Sequence, residues 1–566
     1  MSRHLAPRLA LPHRLLAVVA PDRPAVRPPP RLLVGTPTEI TALAWAALVG
    51  YCLAGWSMRH VLHFAVGDAL ARTANAKYML FSRDPHFAAL GFVWMPVPTV
   101  SQLPVVAVLQ PLGWAADAGW VTTALWGAGT VLVLGRLARD LGLRRPWGLL
   151  LVLGYAANPV VVYYAANGMS EGPLFFFLAV TFLGFLRYLA RGDTSALVTT
   201  GLGLTGCALD RYEAIPLVAL VGGVLLVADL RRRGRRSALL STTLVVLPAA
   251  AGVLLWFLYM KVVKGSFHAF LTDAAGGYTA APVVPATPVA APAVTAPPAY
   301  TFYQDVAGGM DWLHYTAHWC LAYAPALLLL PLVLLPPVRR SFGGVALLLV
   351  ACWLPAVTAY LLRFGGSAGD PRYFTSVIVT TTIGLIVLAS RVTHRWLAAL
   401  LVPLLAGALV AGWVTGTHAQ YDHASTAQEQ EWRVFDVLRG SVDTRDSRGI
   451  VATAALARAL DQRLRPGDRV LLDVRFTFDL ELYSRKPNQM IINNDRDYEA
   501  IRADPYLPGR RIDYLVFPGP GTRGSGADFA EQVYRADPGQ WQQIGDPAGP
   551  IKVYARRHVV RAEQDD

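Results

Sequence analysis

The sequence predicts a mainly α, polytopic transmembrane helix bundle followed by a small α/β domain, and three observations predict it. Of 566 residues, 54% are hydrophobic and only 16% charged, where a soluble chain would carry about a quarter charged residues. Apolar runs recur that approach the roughly 20 residues needed to cross hydrocarbon. The ionisable residues that are hard to explain structurally cluster where those runs end, on one face of the expected membrane.

Taken in order, residues 1–38 are rich in Pro and Arg, show no signal-peptide cleavage pattern and read as a disordered cytoplasmic leader. Residues 39–417 form the membrane module. Apolar periodicity predicts spans at Ile40–Ser57, Trp120–Leu137, Trp147–Tyr164, Gly172–Tyr188, Ser195–Leu209 and Ala214–Leu230. Further spans are expected at Ala238–Tyr259, Ala317–Leu335, Val345–Leu362, Phe374–Ser390 and Trp396–Trp413, about eleven in all.

Orientation follows from arginines in the short loops. With the N-terminus inside, Arg136/Arg139/Arg144/Arg145, Arg187/Arg191, Arg231–Arg236, Arg339/Arg340 and Arg391/Arg395 all fall in the cytoplasm. This holds only if Val100–Ala115, with Pro104 and Pro111, lies at the outer surface as a juxtamembrane or re-entrant helix. The net charge of +13 is thus a topology signal rather than a nucleic-acid footprint. All four cysteines fall in apolar stretches, so neither disulfides nor a thiolate metal site is expected.

Three outer segments remain. The first loop, residues 58–119, reads as partly helical. The second contains an Ala/Pro-rich stretch at 280–299 that reads as a mobile, polyproline-like insert. The third is the tail, residues 418–566, an exoplasmic α/β domain with helical patterns at Gly449–Leu464 and Gly526–Arg535 and strands near Arg469–Asp473 and Ile512–Phe517. It carries no nucleotide-binding glycine fingerprint, and the chain has no Walker A pattern.

Candidate chemistry sits at the outer ends of the spans. Asp68, Arg72 and Asn75 fall at four- and three-residue spacing, so a helix places them on one face, flanked by alanines that permit close approach. The plain reading is a surface ion pair; the chemical one is a carboxylate base beside a phosphate-binding arginine. Asp84-Pro85 reads as a helix-start or turn signal, and Trp94–Pro98 as an interfacial anchor. Ser170 and Glu171 precede Pro173, where either could cap the next helix. Arg211, Glu213, Arg372 and Tyr373 lie where later spans meet the outer surface. Arginines there could snorkel, yet their planar donors suit phosphate.

The combination resembles the GT-C superfamily of membrane glycosyltransferases, whose relatives include protein O-mannosyltransferases and aminoarabinose transferases. The acidic motif in the first outer loop around Asp68, the acidic Glu171 before a Phe-rich span, Arg211-Tyr212-Glu213 and Arg372-Tyr373 carry the likeness, which covers roughly Ile40 to Trp413. The family's first-loop motif often has a second acid nearby. Here Ala69 and Leu70 follow Asp68, which leaves a divalent metal, held by Asp68 and Glu171, an open question.

The resemblance implies a sugar donor on a polyprenyl phosphate in the bilayer and a cell-envelope glycan, lipid or protein as acceptor. It implies Asp68 as general base in an inverting displacement and Glu171 as an orienting acid. Arg211 and Arg372, with Arg72, Lys261 and Lys264 behind them, would hold the phosphate. Two other readings remain: a transporter or flippase for a lipid-linked saccharide, and a non-catalytic envelope scaffold. Nearly charge-free spans argue against ion coupling.

Overall fold

A computed structural model describes residues 37–267, 311–328, 371–391, 395–427, 434–438, 450–472, 474–505, 511–518, 529–545, 551–557 and 559. Nearly all of the expected leader at 1–38, the expected span Val345–Leu362 and the insert at 280–299 lie outside them. Among the described residues, seven helices are long and apolar enough to cross a membrane, or eight if one bent pair counts as a span. The chain is a multi-pass membrane protein.

The helices that position the site are α1 (Pro37–Trp56), α2 (Gly67–Phe81), α3 (Ala118–Asp140), α4 (Arg145–Ala156), α5 (Pro159–Ala166), α6 (Glu171–Arg191), α7 (Thr194–Asp210), α8 (Ile215–Arg232) and α9 (Arg235–Lys264). Three more follow, α10 (Asp311–Tyr323), α11 (Ser376–Arg391) and α12 (Arg395–Ala427). α6 packs on α3 and α7, and α7 on α9. α11 is the central member, with 89% of its apolar window buried, whereas only 22% of that of α1 is buried against the described residues.

Two departures from the sequence reading have physical causes, and a third segment keeps to it. The run expected as one span at Trp147–Tyr164 is two helices bent by 59°. Pro159 has no N–H to continue the helix, and Asn158 turns its side chain back to accept from Val160 N at 2.9 Å. α12 runs on past the expected domain boundary at 417 to Ala427, because the polar residues after His418 keep helix-compatible sequence. The apolar segment Val97–Leu112 is too short and broken to cross, at roughly 24 Å even if fully helical.

The tail forms α13 (Ile450–Arg463), β1 (Val470–Leu472), α14 (Val474–Tyr483), β2 (Met490–Ile491), α15 (Tyr498–Ala503), β3 (Tyr514–Pro518), α16 (Phe529–Ala536), β4 (Trp541–Ile544) and β5 (Ile551–Arg556). The sheet order is β2-β1-β3-β5-β4. β1 runs parallel to β2 and β3, and β5 is antiparallel to β3 and β4. Strand alternation sends Leu471, Leu515 and Phe517 to one face, where Ile501, Phe529 and Val533 cover them.

The opposite face carries Val470, Leu472, Tyr514 and Val516. It shares one apolar cluster with Tyr78 and Met79 of α2 and with Phe92 and Met95 of the first loop. The tail therefore completes its core on the loop.

Polar contacts fix this docking. Lys77, fully buried on α2, donates its three ammonium protons to the carbonyls of Glu481 (2.7 Å), Leu482 (3.1 Å) and Ser484 (2.9 Å) at the C-terminal end of α14. They lie at the negative pole of the helix dipole, where carbonyls lack an onward helical partner; Glu481 O also accepts from Ser484 N at 3.1 Å. Just past α2, Arg83 donates to Asp495 and Asp497, and Asp84 accepts from Arg496. Hydrogen bonds from Arg496 hold the Asp84 carboxyl down to about 2. Asp84 is thus a docking residue, a role that the turn signal at Asp84-Pro85 does not foretell.

Candidate active site

The site starts where the chain leaves α1. His63 takes a left-handed backbone (φ 51°), and the chain extends through Val66 before α2 begins at Gly67. Asp68 lies in the first turn of α2, where the helix dipole favours a carboxylate. Buried Ala69, Ala74 and Ala76 let neighbours approach closely. The tightest approach is at Gly168 (φ +86°), where an added Cβ would lie 3.2 Å from both Ala69 Cβ and the Gly119 backbone. That turn precedes α6, so it seats α2 against the end of the helix that carries Glu171.

Arg372, in the one-turn helix Pro371–Phe374 ahead of α11, donates from Nη1 to Asp68 Oδ2 at 3.2 Å. The Asp68 side chain is 39% exposed and that of Arg372 only 13%, so the carboxylate is the open end of the pair. Burial pushes the Asp68 carboxyl up, but Arg372, Arg72 and Arg211 together outweigh it and hold it below its ordinary value.

A second knot lies deeper. Arg211 follows α7 in extended conformation and donates to Glu171 Oε1 and Glu213 Oε1, with Nη1 reaching Ser170 Oγ at 3.1 Å. Tyr373 joins the two halves: the Arg211 guanidinium lies 4.7 Å and that of Arg372 5.3 Å from its ring centre. Ser170 does not cap α6 with its side chain; the hydroxyl is spent on Arg211.

Arg72 differs from both. It is buried, stacks on the Trp94 ring at 4.5 Å and donates to Met169 Sδ at 3.3 Å. Its Nε has no hydrogen-bond partner, and no carboxylate pairs with it among the described residues. Asp210, at the end of α7, is its acidic counterpart, buried with neither oxygen hydrogen-bonded.

The structure therefore brings Asp68, Arg72, Glu171, Arg211, Glu213, Arg372 and Tyr373 into one cluster. It does not bring in Asn75, which donates to Leu90 O at 2.9 Å. Nor does it include Lys261 and Lys264, exposed at the end of α9, where Lys261 turns back to Gly265 O. Sequence reasoning missed Trp94 and Met169 as the seat of Arg72, because Trp94 read as an interfacial anchor, Met169 carried no signal, and only the fold lays them beside it.

A divalent metal finds poor donors here. Glu171 Oε1 and Asp68 Oδ2 both face guanidinium groups, and no group of three His, Cys, Asp or Glu able to hold a metal ion occurs among the described residues.

Residues 107–256 match the family model described as dolichyl-phosphate-mannose-protein mannosyltransferase. No curated protein sequence matches the chain. Among solved structures, the chain resembles ArnT from Cupriavidus metallidurans, bound to undecaprenyl phosphate, with a TM-score of 0.51 at 13% identity, over 92% of this chain and 98% of that one. The S. cerevisiae protein O-mannosyltransferase complex bound to its sugar donor aligns at TM-score 0.29 and 15% identity, over 41% of this chain and 36% of that one. The archaeal oligosaccharyltransferase from Archaeoglobus fulgidus aligns at TM-score 0.40 and 11% identity, over 84% and 69%.

Proposed function

We propose that this chain, a membrane protein with the GT-C fold, transfers a sugar from a polyprenyl-phosphate donor to a cell-envelope acceptor at the outer membrane face. The N-terminus lies in the cytoplasm and the tail outside. The observation that carries the reading is the pairing of an open carboxylate, Asp68, with a buried arginine, Arg372, while a second arginine, Arg72, acts on Asp68 through space and makes no direct ion pair among the described residues. Base and phosphate-binding groups are thus adjacent, as a displacement at a sugar phosphate needs. The undecaprenyl phosphate bound by the structurally similar ArnT supports the donor class.

In the proposed step Asp68 takes the proton of an acceptor hydroxyl. That oxygen attacks the anomeric carbon, the bond from that carbon to the phosphate oxygen breaks, and the configuration inverts. The leaving polyprenyl phosphate takes the electron pair, and Arg72 and Arg372 stabilise the charge that develops on it. As Asp68 gains a proton its hold on Arg372 weakens, which frees that guanidinium for the phosphate. Arg211 is already engaged by Glu171, Glu213 and Ser170, so its role is to hold Tyr373 and the cluster's shape.

The test is transfer itself. Purified protein with radiolabelled polyprenyl-phosphate sugars and an envelope extract should release free polyprenyl phosphate and label the acceptor. Movement of labelled lipid across liposomes without a new glycosidic bond would sink the transferase and leave a flippase.

A further inference from the structure

At the end of the bundle remote from Asp68 lies a cavity of ≈ 250 Å³, lined by Arg136 and Arg139 of α3, Arg187 of α6, and Ile40 and Thr41 of α1 with Leu132. From Gly119, which touches the active-site turn, to Arg139 along α3 is about 30 Å, so this is a separate place. We infer that the cavity binds the phosphate of an anionic membrane lipid.

Three observations converge on that ligand. The first is uncompensated charge. Arg187 is neutralised by Asp140, which also faces Arg191 at 3.8 Å, and the nearby Glu39 is engaged by Arg145. Arg136 and Arg139 have no carboxylate partner among the described residues, so two guanidinium groups face one cavity uncompensated. The second is shape. Ile40 and Leu132 give it an apolar wall, and α1, which forms one side, has only 22% of its apolar window buried against the described residues. A lipid can present its phosphate to the arginines and leave its chains along α1, whereas a free phosphate uses only half of such a site.

The third concerns the chain's own leader. Residues 1–36 carry Arg3, Arg8, Arg14, Arg23, Arg27 and Arg31 against a single acid, Asp22. That segment is repelled by the arginines rather than suited to fill their cavity. Anionic head groups are the ligands that basic pockets between helices at a membrane surface recognise.

The experiment uses the full chain, purified in detergent and stripped of lipid, with phosphatidylglycerol or phosphatidylcholine added back and retention read by native mass spectrometry. Wild type should retain one phosphatidylglycerol in preference to phosphatidylcholine. Arg136→Gln with Arg139→Gln should weaken that retention about thirtyfold, and Arg235→Gln with Arg236→Gln, on exposed arginines elsewhere on the same face, should not. Thr41→Trp, which fills the cavity with all arginines intact, should also lose the lipid and covers the case in which the double variant misfolds. Equal retention by the Arg136/Arg139 pair, the Arg235/Arg236 pair and the Thr41→Trp protein would overturn the site. Inorganic phosphate raising the melting temperature of stripped wild type as far as phosphatidylglycerol does would overturn the lipid assignment.

Discussion

Arg372 reaches across 304 residues of chain to donate to Asp68, and of the two it is the acid that stays open. Here the basic half is shielded by Tyr373 and the acid faces outward, on the first turn of a helix whose dipole also favours its charge. The carboxylate is therefore ionised at neutral pH and left partly open.

Arg72 is expected to matter for donor binding more than Arg211. Arg72→Lys replaces a planar fork, stacked on Trp94, with a point charge. It should raise KM for the polyprenyl-phosphate donor about tenfold or more with a smaller effect on kcat. Arg372→Lys should weaken donor binding as well, and additionally release Asp68. Steady-state kinetics with varied donor decide this, and an unchanged KM in Arg72→Lys removes Arg72 from the phosphate site.

Lys77→Met should uncouple the tail from the first loop. It removes the buried donor of three carbonyls at the end of α14; Glu481 O still accepts from Ser484 N, and each of the other two is orphaned at a cost of about 1–3 kcal/mol. Hydrogen exchange should show faster opening of α14 and α2, with transfer reduced because α2 also carries Asp68. Wild-type protection in both helices would mean that the apolar cluster alone holds the tail.

The docking also carries a pH dependence. Burial raises the Glu481 carboxyl to about 7, against the pull of Lys77. Its folded value lies above the unfolded one, so its contribution to stability is complete below about pH 4.5 and is lost as pH rises through about 7. Asp479 and Asp495, each raised to about 6 by burial, act in the same direction over a slightly lower window. Glu481→Gln should flatten the fall in tail stability between about pH 4.5 and 7, read by thermal melts at a series of pH values. An unaltered pH profile would show that Glu481 does not set it.

The orientation is checked with reporter fusions. One placed after Arg236 should read cytoplasmic and one after Asp566 exoplasmic. Both in one compartment would invert or break the topology.

What the sequence told in advance divides along physical lines. The seven long apolar helices among the described residues were legible because lipid demands long apolar runs. Asp68, Glu171, Arg211 and Arg372 stood out as charges at span ends that this demand does not explain. The bend at Asn158 was written in Asn-Pro, but hydrophobicity continues through it and masks the signal. Docking of the tail was not legible. Lys77 looks like any polar residue on a loop helix, and its partners are backbone carbonyls of Glu481, Leu482 and Ser484, which no side-chain pattern advertises. The same limit hid Arg72's seat on Trp94 and Met169.

The most direct measurement is the turnover of Asp68→Asn, with purified protein, a polyprenyl-phosphate sugar that wild type uses, and its acceptor. The substitution keeps size and a hydrogen-bonding oxygen for Arg372 but removes the proton acceptor. Turnover should fall by roughly 10²–10⁴-fold with folding and donor binding retained. The Asp68 carboxyl sits below its ordinary value, so wild-type turnover should not fall through loss of this base until the medium drops below about pH 4. Undiminished transfer by Asp68→Asn would contradict the account at its centre.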